Sequence, residues 1–245
     1  MQFPENVTRL CGAKKFSFGC HSRVKCFTEC CRELELALSP YDVLRLRKKL
    51  ALSSADFINR HIVLEQEEND VFPRLYLGMV DDGRASCPFV SSAGCRVYED
   101  RPGACRAYPV GRGVTGPADR QQEIYVLVRE NHCRGFGEPQ SYSVAEWFHN
   151  QGLSEYNSIN DEVMSLMYHE QTGQGTRLTP EQINFFLLAL YKLDEFRSFV
   201  SGTDFAARFK VEEKDRQAAL ADEESLLRFG IGWLNKVLFD EGSWV

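Results

Sequence analysis

The run Cys20-His21-Ser22-Arg23-Val24-Lys25-Cys26-Phe27-Thr28-Glu29-Cys30-Cys31 carries four cysteines. Three more follow as Cys87-x7-Cys95-x9-Cys105, and Cys133 closes the pattern. All nine cysteines, including the outlying Cys11, lie in the first 133 residues of 245. Thiols at this density are held either by disulfides or by metal. Which of the two applies decides what kind of protein folds from this sequence.

The chain opens MQFPENVTRLCGAKKF, without the basic stretch and apolar core of a secretory signal. Its longest apolar stretch, FFLLAL at 185–190, is far short of the ~20 residues that span a bilayer. These features lead us to expect a cytoplasmic protein with no membrane association. Structural disulfides are rare in that compartment, and an odd cysteine count fits full pairing badly. Metal is therefore the expectation. Disulfides remain the alternative, because a processed secreted chain would look the same.

At 43% hydrophobic residues, with 17 Phe, 9 Tyr and 3 Trp, the chain can bury a real core. A net charge of −6 argues against a nucleic-acid partner, and the expected partner is another protein. The basic strip Arg45, Arg47, Lys48 and Lys49 reads as the solvated C-terminal end of a helix.

Around the first cysteines Gly12 and Gly19 break the chain into loops. Ser39-Pro40 predicts a capped helix, and a second starts near Ser53, with Phe57, Ile58, Ile62 and Leu64 on its apolar side. Residues 71–80 read as a strand broken by Pro73, and Asp81-Asp82-Gly83 as a turn. Residues 87–90 and 95–98 predict a small hairpin with a cysteine on each arm. A glycine-rich loop, 111–116, then leads into a strand at 124–129. After Cys133 the chain becomes helical, at about 144–150, 155–170, 180–200 and 213–239, with capping boxes at Ser143/Glu146 and Thr179/Gln182. The expectation is an α+β protein, with a cysteine-rich metal-binding domain of short strands over 1–140 and a helical region over 141–245.

A zinc ribbon is usually announced by CxxC knuckles, and none occurs here. The side chains of adjacent Cys30 and Cys31 diverge, which suits separate corners of a cluster better than one small ion. The expected cofactor is therefore an iron–sulfur cluster of the [4Fe-4S] type, with zinc as the alternative. Dinucleotide, P-loop, zincin and nucleophile-elbow motifs are all missing from the sequence. The Cys26-x3-Cys30 gap begins a radical S-adenosylmethionine triad, but Cys31 spoils the second gap. No residue is assigned a catalytic role.

Cys26-x3-Cys30-Cys31-Arg32, Cys87-Pro88-Phe89, the block 94–109 (GCRVYEDRPGACRAYP) and Cys133-Arg134-Gly135-Phe136-Gly137 together resemble the YkgJ-type cysteine-cluster family. That family is regarded as zinc- or iron-chelating and includes the flagellin lysine N-methylases. The likeness spans about residues 16–140 and is most specific in the middle block. It departs from the family's CxxCxxCC signature, with gaps of five and three before Cys30-Cys31. The resemblance implies a metal site on Cys20, Cys26, Cys30, Cys31, Cys87, Cys95, Cys105 and Cys133. It transfers no reaction.

Arg32, Arg96, Arg101 and Arg106 adjoin the cysteines and can offset thiolate charge, or else pair with Glu99, Asp100 and nearby carboxylates. Tyr98 and Tyr108 read as core aromatics. His21 and His132 neighbour cysteines and are alternative ligands, whereas His61, His149 and His169 read as helix residues. Cys11 stands outside the pattern as a free thiol. The leading function is an iron–sulfur or zinc protein in redox chemistry or complex assembly. The alternatives are a protein-lysine N-methylase and a zinc-stabilised interaction module.

Overall fold

The computed structural model describes residues 3–11, 14–68, 70–115, 122–173 and 177–239. The chain begins with strands β1 (Val7–Leu10) and β2 (Phe16–Ser17), then helices α1 (Pro40–Leu50) and α2 (Ser54–His61). Strands β3 (Ile62–Glu65), β4 (Arg74–Leu77), β5 (Val90–Ser91) and β6 (Gly94–Cys95) precede the short helix α3 (Gly103–Ala107). Strands β7 (Val110–Thr115), β8 (Gln122–Val128) and β9 (Ser141–Tyr142) complete the β structure. Helices α4 (Val144–Asn150), α5 (Ser154–Met167), α6 (Glu170–Gly173) and α7 (Pro180–Tyr191) follow. The last are α8 (Leu193–Ser201), α9 (Phe205–Arg208), α10 (Glu213–Ala219) and α11 (Glu223–Phe239). The protein is α+β, with strands concentrated in its N-terminal half and helices in its C-terminal half.

Two compact units divide the chain, and each is discontinuous: Met1–Leu36 with Gly78–Tyr156, and Ala37–Leu77 with Asn157–Val245. The sequence boundary expected near 140 falls inside the first unit. The reason is that 37–77 carries apolar helices and a two-stranded sheet that pack within the second unit.

In the first unit β1, β8 and β7 form an antiparallel sheet in that order, with Leu10 opposite Tyr125 and Val110 opposite Leu127. The expected glycine-rich loop is a strand: Gly111 pairs with Val126 and Gly113 with Ile124. Glycines placed opposite β-branched residues let the strands pack where bulky pairs would crowd. Gly116, the end of that expected loop, lies outside the described residues. Leu10, Phe16, Phe18, Val110, Leu127 and Trp147 form the core, with Tyr108, Cys133 and Phe136 packed against it. Phe18 meets Tyr108, Phe136 and Trp147 edge-on at centroid distances of 5.7, 5.3 and 5.5 Å. Such T-shaped pairs add about 0.5–1.5 kcal/mol each beyond area burial.

In the second unit Ser39 caps α1 through a capping box with Asp42, as its sequence predicts. The second helix ends at His61, earlier than expected, and Ile62–Glu65 becomes β3, with Ile62 opposite Leu77. The run Ile62-Val63-Leu64 is β-branched-rich, and its pairing with β4 wins over helical continuation. Arg47 is not solvated. It is buried between Asp194, at 3.6 Å, and Glu223, while Lys48 reaches Glu223 at 3.5 Å. The expected helix at 180–200 breaks at Lys192, and the one at 213–239 breaks between Ala219 and Glu223. Phe196, Phe199, Phe205, Phe209 and Trp233 form an aromatic core behind those breaks.

Candidate metal centre

The first and last parts of the cysteine pattern meet along a backbone seam. Phe16 pairs with Tyr142, the Phe18 N–H donates to Gln140 O at 3.0 Å, and the Gly19 N–H donates to Gly135 O at 3.0 Å. Beyond that seam His21 Nε2 and Glu138 Oε2 lie 3.1 Å apart. A side chain at Gly135 would put its Cβ 2.6 Å from Gly19 O and 2.7 Å from the Phe18 ring, so only glycine lets the seam close. The Arg134 N–H then donates to Cys26 Sγ at 3.0 Å.

A second seam carries the middle cysteines. Cys30 and Cys31 lie in a 3-10 turn over Glu29–Cys31. Arg32 bridges Ser86, the Glu33 N–H donates to Ala85 O at 3.0 Å, and the Cys87 N–H donates to Cys31 O at 2.8 Å. The expected hairpin is present but shorter: Val90 pairs with Cys95 in β5–β6, Cys87 precedes it, and Tyr98 lies in a 3-10 turn. Gly94, at φ +115°, turns this hairpin, and a Cβ there would stand 3.0 Å from the Phe27 ring. That backbone conformation belongs to glycine. Cys105 follows on α3.

Each of the eight patterned thiols lies within electrostatic reach of at least one other. Burial, then Cys30, Cys26 and Cys133, push the Cys20 thiol up to about 11, while Arg101 pulls the other way. Cys30 is lowered to about 7, chiefly by a hydrogen bond from Cys31, with Arg32 assisting. Cys31 is raised by that same hydrogen bond, by burial, and by Cys30, Cys87 and Cys105. Burial raises Cys87, with Cys95 adding to it, and burial also raises Cys95, with Cys30 adding to it. All nine cysteines are free of disulfides. Among the described residues no group of three or more His, Cys, Asp or Glu side chains is disposed to hold a metal ion. The thiols therefore stand as neighbours, not as a closed set of ligands.

One backbone donor, the Arg134 N–H, is hydrogen-bonded to a cysteine sulfur, and two buried polar groups stand near others. The buried Tyr108 hydroxyl has no aligned hydrogen-bond partner, yet it lies against Cys133, and burial with that thiol raises the phenol far above its usual range. Arg32 Nε is also buried without a partner, and the Arg32 charge acts on Cys30. With the Arg134 N–H on Cys26, these donors favour thiolates over thiols. The chemistry of eight cysteines in one unit suits a thiophilic metal, zinc or iron.

The remaining arginines have settled partners. Arg32 pairs with Glu29 at 3.4 Å, and Arg96 donates to Pro88 O. Arg106 takes the backbone carbonyl of Glu99 and not its carboxylate. His21 faces Glu138 and His132 is exposed. His61 packs on Phe57, His149 lies in α4, and His169 stacks on Phe239 at 3.9 Å. Tyr98 is exposed under the Arg101 guanidinium, which departs from the core role expected of it. The Arg134 and Tyr108 contacts to sulfur were not read from the sequence, although both residues lie in the blocks that carry the family resemblance.

The first unit is built of short strands and turns, carries the eight patterned thiols, and places the Arg134 N–H on the Cys26 sulfur. Residues 19–134 match the model of the CxxCxxCC family, described as a "putative zinc- or iron-chelating domain", which is consistent with a cysteine cluster of the YkgJ type. No curated protein and no solved structure matches the chain. Among the described residues no helix is long and apolar enough to cross a membrane.

Proposed function

We propose that the first unit holds an iron–sulfur cluster of the [4Fe-4S] type and works in redox chemistry or complex assembly with another protein. Cys20, Cys26, Cys30, Cys31, Cys87, Cys95, Cys105 and Cys133 are the residues that would hold metal. One observation carries the reading: Cys30 and Cys31 lie side by side in one 3-10 turn, and the Cys31 backbone carbonyl accepts from the Cys87 N–H at 2.8 Å, which brings the first and middle cysteine groups to one place. A cluster with several iron corners takes adjacent sulfurs more readily than one small tetrahedral ion. When bound, such a cluster supplies one-electron transfer. The chain's own residues would hold its thiolates, donate a backbone hydrogen bond to Cys26 from Arg134, and keep the aromatic core against Cys133.

Zinc is the second reading, supported by the zinc-or-iron description of the matched family. Metal and sulfide analysis of anaerobically purified protein, with its visible spectrum, separates the two. Iron, sulfide and broad absorption near about 400 nm are expected. Stoichiometric zinc without iron would replace the cluster with a structural site.

A further inference from the structure

In the second unit β3 and β4 form a two-stranded sheet, with Ile62 opposite Leu77, Val63 opposite Tyr76, Leu64 opposite Leu75 and Glu65 opposite Arg74. Opposite residues share a face, so Ile62, Leu64, Leu75 and Leu77 stand on one side and Val63 and Tyr76 on the other. Leu75 and Leu77 are 2% and 3% exposed, whereas Leu64, on the same side, is 49% exposed and Val63 is 47% exposed. The outer edge of β4 is covered: Ala37 bridges Tyr76, and the Leu38 N–H donates to Leu75 O at 2.8 Å. Among the described residues no strand pairs with the outer edge of β3. That edge presents backbone groups together with two large apolar side chains, the combination that templates a further strand.

The sequence of this edge is complementary to itself. Arg60 precedes it, and Glu65, Glu67 and Glu68 end it, all of them exposed. Antiparallel pairing of two copies about a two-fold axis brings the Arg60 of each to the carboxylates of the other. Centred on Val63, such pairing sets Ile62 opposite Leu64 and Val63 opposite its own copy, apolar on apolar. Centring on Leu64 would instead set Val63 opposite Glu65.

We propose that β3 is a self-association edge: two copies of this chain pair antiparallel through Ile62–Glu65, Val63 facing Val63, into a four-stranded sheet β4-β3-β3-β4 that covers Leu64. Neither strand carries a cysteine. Four residues a side make an interface below the ~1,200 Å² of standard complexes, so the dimer belongs to the weak, transient class.

The test uses the full chain in reducing buffer, as wild type, Val63→Lys and Tyr168→Lys. Val63→Lys sets two ammonium groups against each other across the axis. Tyr168→Lys removes an aromatic that is 72% exposed and lies outside β3. Sedimentation velocity over roughly 1 µM to 1 mM, the range that reads weak association, follows mass, and hydrogen exchange follows the amides of 62–65 in wild type. Circular dichroism reports folding. Wild-type mass should rise toward twice the monomer, with protection of 62–65 rising alongside it. Val63→Lys should raise the dimer dissociation constant about tenfold or more, because like charges then meet in the interface. Tyr168→Lys should dimerise like wild type. Wild type that stays monomeric across the range would overturn the proposal and leave the edge to a strand from a different protein. Dimers whose 62–65 amides stay unprotected would also overturn it, as would Val63→Lys dimerising like wild type. Equal weakening by both variants would do the same, since it marks general surface stickiness rather than strand pairing.

Discussion

The backbone N–H of Arg134 donates to Cys26 Sγ at 3.0 Å, joining positions 108 residues apart. This contact exists because the Phe18–Gly19 segment runs hydrogen-bonded along Gly135 and Gln140. The sulfur site is therefore closed by main chain, and its geometry depends on residues that carry no chemistry of their own.

Gly135→Ala tests that dependence. Its Cβ would meet backbone at 2.6 Å and the buried Phe18 ring at 2.7 Å, neither of which can yield easily. Overpacking of this kind costs about 1–3 kcal/mol, and the seam should open with it. Gly137→Ala is the control, since its Cβ meets nothing within 4 Å, and it should stay within about 0.5 kcal/mol of wild type. Chemical denaturation and metal content are the measurements. Equal stability of the two variants would mean that the seam does not constrain the site.

Stripping the metal should loosen the first unit alone. That unit contains the cysteines and is built of short strands and turns, whereas the second has its own aromatic core. Metal-binding energy in such loop-rich segments is folding energy. In hydrogen exchange after demetallation, residues 14–36 and 78–115 should lose protection, while 40–61 and 180–239 keep theirs. The discontinuous units sharpen this expectation, because 40–61 lies between cysteines in sequence yet should behave like the C-terminal helices. Uniform loss across both units would contradict it.

Arg47→Met should destabilise the second unit and leave metal loading unchanged. Arg47 is 5% exposed and pairs with Asp194 and Glu223. Breaking a buried pair from one side costs up to about 3–5 kcal/mol, and the partial exposure of both carboxylates puts this case nearer ~2. Thermal unfolding with parallel metal analysis would show it. Lost metal at unchanged stability would argue against the separation of the two units.

The capped helix starts at Ser39, Ser143 and Thr179 were readable because capping chemistry is local: a hydroxyl, and a carboxylate or amide three residues on, meet backbone N–H groups within one turn. Spacing and family resemblance together marked the eight cysteines. The partition of the chain was not readable, since nothing local to 37–77 says that α1 and α2 pack with helices more than a hundred residues away. Arg47 was misread for the same reason: its acidic partners are distant in sequence. The glycines of β7 resembled a loop because strand pairing, which defines them, is also non-local.

The Cys30–Cys31 pair offers the sharpest test of the metal reading. Hydrogen bonding between the two neighbouring thiols lowers Cys30 to about 7 and raises Cys31. Thiolate, not thiol, is the nucleophile, so alkylation near neutral pH should label Cys30 well before Cys31. Lowering the pH from 7 to 6 should cut the Cys30 rate roughly fivefold and each further unit about tenfold, because the thiolate fraction falls in that proportion. Metal takes both sulfurs as thiolates, so loading should protect both residues. Changing either one to Ser should then weaken or abolish cluster loading. Peptide mapping by mass spectrometry and iron analysis of the two variants provide the readouts. Equal labelling of the pair, or full iron in Cys31→Ser, would mean that these adjacent sulfurs do not divide between separate corners of a cluster.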